Sequence, residues 1–440
     1  MNFLDWMIAA GILLLTMSML TGWLNRTPVP MFGLYLVVGI ACGQWGLGLV
    51  NIDVFRHTSM ISRATEIAMA ASLFITGLKL RFSFSAPVWK IGVVLALPTM
   101  LLTVGGMMLI AHYLAGFSWP IALAFGAIVA PTDPVLASLV AVNDARDSDW
   151  LRLSLSSEAG LNDGTALPLL MLALIFFHAN EAPLSADQWI HWLSVDLLWG
   201  LFAGLTLGFG LGRGVGLLAT RSRHLQQDVA PSDFIALALM ALSFSLATYI
   251  NASAFLAAFA AGVGLRSAEV SVQKRHKQDD ENGEIPPAET MVNPHSRHRL
   301  EEQGPVKSVG LVIGDALSFG DTVERLLAAT LVILLGMTLA LHWDIDGLML
   351  AVGLFVVVRP IAMLLMTWEM AYSWKQRMMM GWLGIRGIGS INYIAFALLH
   401  GLQGEEVTRM VNCAVTLITF SVLLHGVTVG PLQKWRRKKK

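Results

Sequence analysis

The sequence contains little charge and almost no cysteine. Asp, Glu, Lys and Arg make up 14% of its 440 residues, whereas 55% are hydrophobic. A soluble domain carries roughly 25% charged residues, so this composition indicates a polytopic membrane protein. The two cysteines, Cys42 and Cys413, both lie in apolar runs. That placement is typical of core residues and excludes a disulfide framework or a cysteine-ligated metal site.

Neither sign of charge is in excess, because 30 Lys and Arg residues balance 30 Asp and Glu residues. Net charge therefore indicates no nucleic-acid partner. The N-terminal stretch also lacks the basic region and the small-residue cleavage site of a secretory signal peptide. Since it is long enough to cross a bilayer, we expect it to be a retained membrane helix.

Apolar stretches that can cross a bilayer, which takes about 20 residues, recur along the chain. We predict an all-α membrane protein with about thirteen transmembrane helices near residues 4–23, 29–49, 64–80, 89–114, 119–142, 151–178, 190–217, 231–250, 252–266, 322–341, 347–369, 379–401 and 406–430. Lys and Arg concentrate in every second loop, which indicates a cytoplasmic C-terminus, including the basic tail 431–440, and an external N-terminus.

The segment 267–307 is polar, of mixed charge, and contains a Pro-Pro pair. It cannot bury enough apolar surface to fold by itself, so we predict a disordered cytoplasmic linker. A pH-sensing function of His276, His295 and His298 is the alternative, because histidine titrates near neutral pH.

Charged residues inside the predicted spans are few: Asp133, Glu158, Asp163, Arg359 and Arg386. Each costs roughly 2.5–3.5 kcal/mol on insertion scales. Counting 1.5 Å per residue from the cytoplasmic ends places the two aspartates at about 15–18 Å, near the midplane. Glu158 lies at a depth that either arginine can reach. We favour Arg359 as its partner in a structural ion pair, and Arg386 can instead balance the charge of the site.

Two of the predicted spans are interrupted. Pro131 and Pro134 flank Asp133 and break the fifth span, and a run of glycines interrupts the twelfth: Gly381, Gly384, Gly387 and Gly389. The two spans are seven apart and so run in opposite directions. Broken helices in antiparallel halves are typical of inverted-repeat secondary transporters, whose site lies where these helices cross.

A dehydrated monovalent cation needs oxygen ligands and one compensating negative charge. Asp163 can supply the charge, while Thr132, Asp133 or released carbonyl groups can supply further ligands. The same carboxylate can instead hold a proton, and a group that holds either ion but not both is sufficient for exchange. Asn162 is either a ligand or, as we favour, a clamp on the broken helix.

The stretches TDP, SEAGLNDGTA, VVVRP and GIRGIGSINYIA resemble the cation/proton antiporter-1 family, the prokaryotic and animal Na⁺/H⁺ exchangers. This resemblance implies a homodimer with elevator-type movement. Core helices within 89–178 and 347–430 would move against dimerisation helices within 1–88 and 231–341, with 190–217 as a linker helix. It also implies a bacterial inner-membrane location and no cofactor.

By the same resemblance, Asp163 is the shared carrier of cation and proton. Thr132 and Asp133 lie in the unwound crossing, with Na⁺ at Asp163 and Asp133, and Asn162 lies beside the carrier. Glu158 pairs with Arg359, while Arg386 and Ser157 support the site. An asparagine before the key aspartate implies electroneutral exchange.

The expected activity is thus the exchange of Na⁺ or Li⁺ for H⁺, with K⁺/H⁺ exchange as the alternative. A cation channel is a less favoured reading, because it would need carbonyl or acid rings along a continuous path. The spans contain no nucleophile–base set, so we do not expect an enzyme.

Overall fold

The structure, a computed structural model, describes residues 31–82, 86–137, 142, 145, 147, 149–179, 182–226, 233–276, 286–291 and 304–437, with seven scattered positions before residue 31. In these ranges the regular structure is helical throughout. In the part of the chain that the structure describes, nine helices are long and apolar enough to cross a membrane, and three shorter apolar helices accompany them. The all-α prediction is therefore confirmed. The predicted first span, 4–23, falls almost wholly outside the described residues.

The first half of the described chain begins with two separate helices, α1 (Met31–Cys42) and α2 (Thr58–Lys79). A long helix follows, in which α3 (Pro87–Val94) continues through a π-helical segment, Leu95–Thr99, into α4 (Met100–Ala115). Pro98 lies inside the π-helical segment, as expected where a proline removes a backbone hydrogen bond.

The first interrupted span comes next and consists of α5 (Trp119–Val129) and the short α6 (Pro134–Ala137). It is followed by α7 (Trp150–Leu161) and α8 (Asp163–His178), which form one span because Asn162 between them keeps helical backbone angles. The α6 helix begins at Pro134, where the missing amide hydrogen costs nothing because the first turn of a helix has no internal acceptor for it.

The middle of the chain supplies the longest helices. They are α9 (Ala186–His191), which runs through a π-helical segment, Trp192–Trp199, into α10 (Gly200–Gln226), then α11 (Asp233–Tyr249), α12 (Ala254–Arg275) and, after a 3₁₀ turn at Ala288–Met291, α13 (Pro305–Leu339). Glycines allow close packing here. A Cβ on Gly262 of α12 would stand 2.1 Å from the Phe74 carbonyl oxygen of α2.

The last part of the chain contains the second pair of half-helices. They follow α14 (Ile345–Val352), a π-helical segment at Gly353–Val358, and α15 (Arg359–Met366). The interrupted span consists of α16 (Trp374–Trp382) and α17 (Ile388–Leu399), and α18 (Glu405–Arg437) ends the described chain.

The prediction of a disordered linker over 267–307 is wrong at both ends. Helix α12 extends to Arg275, α13 begins at Pro305, and Ala288–Met291 forms a turn between them. The ninth span is accordingly not short. Both Nη atoms of Arg266 donate to the Glu289 carboxylate, at 2.9 and 3.0 Å. Because Glu289 compensates the charge of Arg266, α12 can continue past Arg266, where hydropathy alone predicted the end of the span. His295 and His298 lie outside the described residues.

The set of five charged residues predicted inside the spans is also incomplete. Arg266 and Glu269 are buried in α12, and Glu324 is buried in α13. Glu269 accepts a bond from Arg81 of α2 at 3.2 Å. Glu269 escaped the sequence analysis because hydropathy alone ended the ninth span at residue 266, whereas α12 extends to Arg275. Arg266 and Glu324 lie within three residues of an end of a predicted span, where charged side chains are common, but α12 and α13 extend well beyond those ends.

Candidate functional site

The two interrupted spans cross at their non-helical segments, residues 130–133 and 383–387. The backbone amide of Asp133 donates to the carbonyl oxygen of Ile385 at 2.9 Å, so the two segments satisfy part of each other's exposed backbone. The crossing requires a glycine at position 387. A Cβ on Gly387 would stand 2.2 Å from Leu136 Cδ1 and 2.8 Å from Asp133 Oδ2.

Asp133 caps two half-helices at once. Its Oδ1 accepts the amides of Val135 and Leu136, at 2.8 and 3.0 Å, in the first turn of α6. Its Oδ2 accepts the amide of Gly389, at 2.8 Å, in the first turn of α17. Both helix N-termini carry partial positive charge, which the buried carboxylate compensates. Both of its oxygens are therefore engaged by backbone amides.

Glu158 contacts Arg359 and not Arg386. Arg359 Nη2 lies 2.5 Å from Glu158 Oε1, and both side chains are buried. The hydroxyl of Thr132 lies 3.4 Å from the same oxygen. The Arg386 guanidinium donates to the carbonyl oxygen of Ala130, at the C-terminal end of α5. A helix C-terminus carries partial negative charge, so Arg386 compensates the end of a half-helix.

Asp163 is the first residue of α8, directly after Asn162, the residue that joins α7 to α8. Its side chain is 1% exposed. Its Oδ1 accepts the hydroxyl of Tyr393 at 2.7 Å, whereas its Oδ2 has no hydrogen-bond partner among the described residues. Asn162 Nδ2 donates to the hydroxyl and carbonyl oxygens of Thr132, at 2.7 and 3.1 Å. The structure thus brings Asp163, Asn162 and Thr132 together, with Asn162 in the clamping contact favoured from the sequence.

Ser157, expected to support the site, bonds to its own helix: its hydroxyl donates to the Leu153 carbonyl oxygen at 2.8 Å. Its Cβ also stands 2.6 Å from where a Cβ on Gly92 would lie. Gly92 therefore allows α3 to approach α7 closely at Ser157, and the described hydrogen bond of Ser157 is not to the carboxylate cluster.

Two further residues at the crossing were missed by the sequence analysis. Tyr393, fully buried in α17, is the hydroxyl donor to Asp163. Its neighbour Asn392 accepts the hydroxyl of Thr65, on α2, at 2.9 Å. A signal for Tyr393 was available, because the chain has only 5 tyrosines and a tyrosine buried in an apolar span needs a hydrogen-bond partner. The sequence did not show which residue that partner would be.

Broken helices that cross inside a many-helix membrane protein, with a buried acid beside the crossing, define the class of inverted-repeat secondary-transporter folds. The family described as "Sodium/hydrogen exchanger, transmembrane" matches residues 12–435. The chain belongs to this family, which confirms the resemblance drawn from its motifs.

Individual relatives are distant in sequence but cover nearly all of the chain. The K⁺/H⁺ antiporter NhaP of Alkalimonas amylolytica is 23% identical over 97% of this chain and 66% of its own length. The K⁺/H⁺ antiporter NhaP2 of Shewanella sp. (strain MR-4) is 24% identical over 95% of this chain and 65% of its own length. This chain therefore spans slightly less than two thirds of the length of these relatives.

A solved structure shares the fold. The sodium/proton antiporter MjNhaP1 from Methanocaldococcus jannaschii has a TM-score of 0.68 and 18% identity, covering 97% of this chain and 96% of that one. The arrangement of helices around the crossing is thus an established architecture.

Proposed function

We propose that this protein exchanges a monovalent cation for protons across a membrane, with Asp163 as the group that binds either ion. The observation that carries the proposal is the charge balance at the crossing. Glu158 is compensated by Arg359, and Asp133 by two helix N-termini. Asp163 is the acid at the crossing for which the described residues supply only a neutral donor, Tyr393.

A buried carboxylate without a compensating charge is costly, and the cost falls when a cation or a proton neutralises it. Oδ2 of Asp163 and Oδ1 of Asn162, both buried and without a described hydrogen-bond partner, are oxygen ligands for a monovalent cation. The Tyr393 hydroxyl holds the other Asp163 oxygen in place. Because one carboxylate cannot hold both ions, release of one accompanies binding of the other.

The proposal extends to how the site reaches both sides of the membrane. The crossing is built from helices within 89–178 and 347–430, which we propose move as a core against helices within 1–88 and 231–341 in an elevator-type motion. Contact between the two sets supports this division: a Cβ on Gly160 of α7 would stand 2.1 Å from the ring of Phe259 on α12. We further propose a homodimer in a bacterial inner membrane, with the N-terminus outside and the C-terminus in the cytoplasm.

The test uses purified protein in vesicles that carry a pH gradient and enclose a pH-sensitive dye. Adding Na⁺ or Li⁺ outside should move protons and change the dye signal in protein-containing vesicles, with protein-free vesicles as the control. A response to K⁺ alone would favour the alternative of K⁺/H⁺ exchange, the activity for which two of the relatives are named. Ion flux without proton movement would instead indicate a channel and overturn the proposal.

Exchange should be electroneutral, one cation for one proton. The residue before Asp163 is the neutral Asn162, so the loaded site has the same net charge with either ion. We expect the rate of Na⁺-driven proton movement to stay constant when K⁺ and valinomycin set the membrane voltage. The control is a proton-conducting ionophore, whose flux must follow the voltage in the same vesicles. Exchange that accelerates with voltage would contradict a single shared charge.

A further inference from the structure

A buried carboxylate, that of Glu324, also lies outside the crossing. Glu324 is 7% exposed on α13, fifteen residues before the end of that helix at Leu339. Asp163 lies equally far before the end of α8 at His178. The two helices belong to spans an even number apart, so they run in the same direction. At 1.5 Å per residue, each acid therefore lies about 22 Å along its helix from that end.

The contacts of Glu324 leave its charge largely uncompensated. Its Oε1 accepts the hydroxyl of Ser72, fully buried on α2, at 2.7 Å. The cation whose charge acts on Glu324, Lys79 of α2, is engaged by Asp321, with 2.8 Å between Nζ and Oδ1. Among the described residues, no Lys, Arg or His forms an ion pair with Glu324. A buried acid without a compensating charge either lowers the stability of the fold or binds a cation or a proton.

The helices that hold Glu324 and Ser72 both pack against the crossing. Both α2 and α13 contact α6, the short half-helix that Asp133 caps. The charged groups that act on Glu324 are Lys79 from α2, Asp321 from its own helix, and Asp133 from the crossing. Glu324 therefore lies within electrostatic reach of the candidate site, on a helix that we place outside the moving core.

We propose that the Glu324 carboxylate, one oxygen of which is held by the Ser72 hydroxyl, is a second binding position for the monovalent cation and the proton, beside the crossing. This inference rests on the proposed exchange function. Ser72 holds one carboxylate oxygen, which leaves the other to bind a cation or a proton. The negative charge raises the local concentration of cations beside the crossing, within electrostatic reach of Asp133. A cation held at Glu324 can exchange part of its water shell for protein oxygens before it reaches the carrier.

Glu324→Gln tests the proposal, because glutamine keeps the size and can still accept the Ser72 hydroxyl. The external Na⁺ or Li⁺ concentration for half-maximal proton movement should rise on the order of tenfold, as expected for the loss of one unit charge in a partly hydrated interior. The rate at saturating cation should be unchanged. A second variant, Ser72→Ala, keeps the charge and should retain nearly the original half-maximal concentration.

Glu406→Gln is the matched control, because Glu406 also accepts a serine hydroxyl. The donor is Ser118, at 3.1 Å, which directly precedes the start of α5 and is remote from the crossing. This control variant should leave the half-maximal concentration unchanged. An unaltered value in Glu324→Gln, or a lower saturating rate alone, would show that Glu324 only stabilises the fold and would overturn the inference while leaving the exchange function intact. An unmodified protein that exchanges no cation would overturn both.

Discussion

Asp163→Asn should abolish cation/proton exchange. Asparagine has nearly the same shape and can still accept the Tyr393 hydroxyl that Asp163 accepts at 2.7 Å, so the crossing should assemble normally. What is lost is the one negative charge at the crossing that the described residues leave uncompensated. Without it, a bound cation has no counter-charge in a buried site, and the neutral amide has no proton to exchange. The measurement is dye-reported proton movement in vesicles at saturating Na⁺ or Li⁺.

Two control variants separate loss of the carrier from general damage. Tyr393→Phe removes the hydrogen bond and keeps the carboxylate, so exchange should persist at a reduced rate. Asp196→Asn removes a partly buried aspartate from the π-helical segment between α9 and α10, far along the chain from the crossing, and should exchange normally. If Asp163→Asn exchanged cations at the unmodified rate, the carrier would have to be another acid, with Asp133 the first to be tested.

Arg359→Ala should cause the largest loss of folded protein. Both partners of the Glu158–Arg359 pair are buried, with 2.5 Å between Nη2 and Oε1. Removing one partner of a buried pair costs about 3–5 kcal/mol, because the other charge remains in the interior without compensation. The expected result is a much lower thermal unfolding midpoint of detergent-purified protein, together with reduced yield from the membrane.

Arg409→Ala provides the matched control. Arg409 also pairs with an acid, Asp346, at 2.5 Å, but its side chain is 45% exposed. Exposed pairs contribute about 0–1 kcal/mol, so the midpoint should hardly change. Combining Arg359→Met with Glu158→Gln should recover part of the lost stability, because no charge is then left unpaired. A double variant less stable than Arg359→Ala would show that the arginine stabilises the protein through other contacts.

Much of this architecture was predictable from local rules. The length and spacing of the apolar runs predicted the helices, because a bilayer imposes a minimum span. Prolines around Asp133 predicted the first break, since proline removes a donor and disfavours helix before it. Charged residues in apolar spans predicted the site, because the membrane admits them only where they are compensated or functional.

Depth counting was informative but incomplete. It placed Glu158 within reach of both Arg359 and Arg386 and did not decide between them. The rotation of each helix about its axis decides the pairing, and that rotation follows from packing against neighbours. The same limit applies to Asp133. Its sequence position predicted a place in the unwound segment, but only the approach of α17 brings the Gly389 amide to 2.8 Å from its carboxylate.

By itself, then, the sequence determined the class of protein, the two helix breaks and the central position of Asp163, because each depends on the local chain and on the bilayer as solvent. Only the tertiary structure decided which charges meet. Tyr393 reaches Asp163, Asp133 caps two half-helices, Arg386 donates to the end of α5, and Glu324 on α13 accepts the Ser72 hydroxyl of α2. These contacts join residues up to 256 positions apart, and their geometry arises from how whole helices pack.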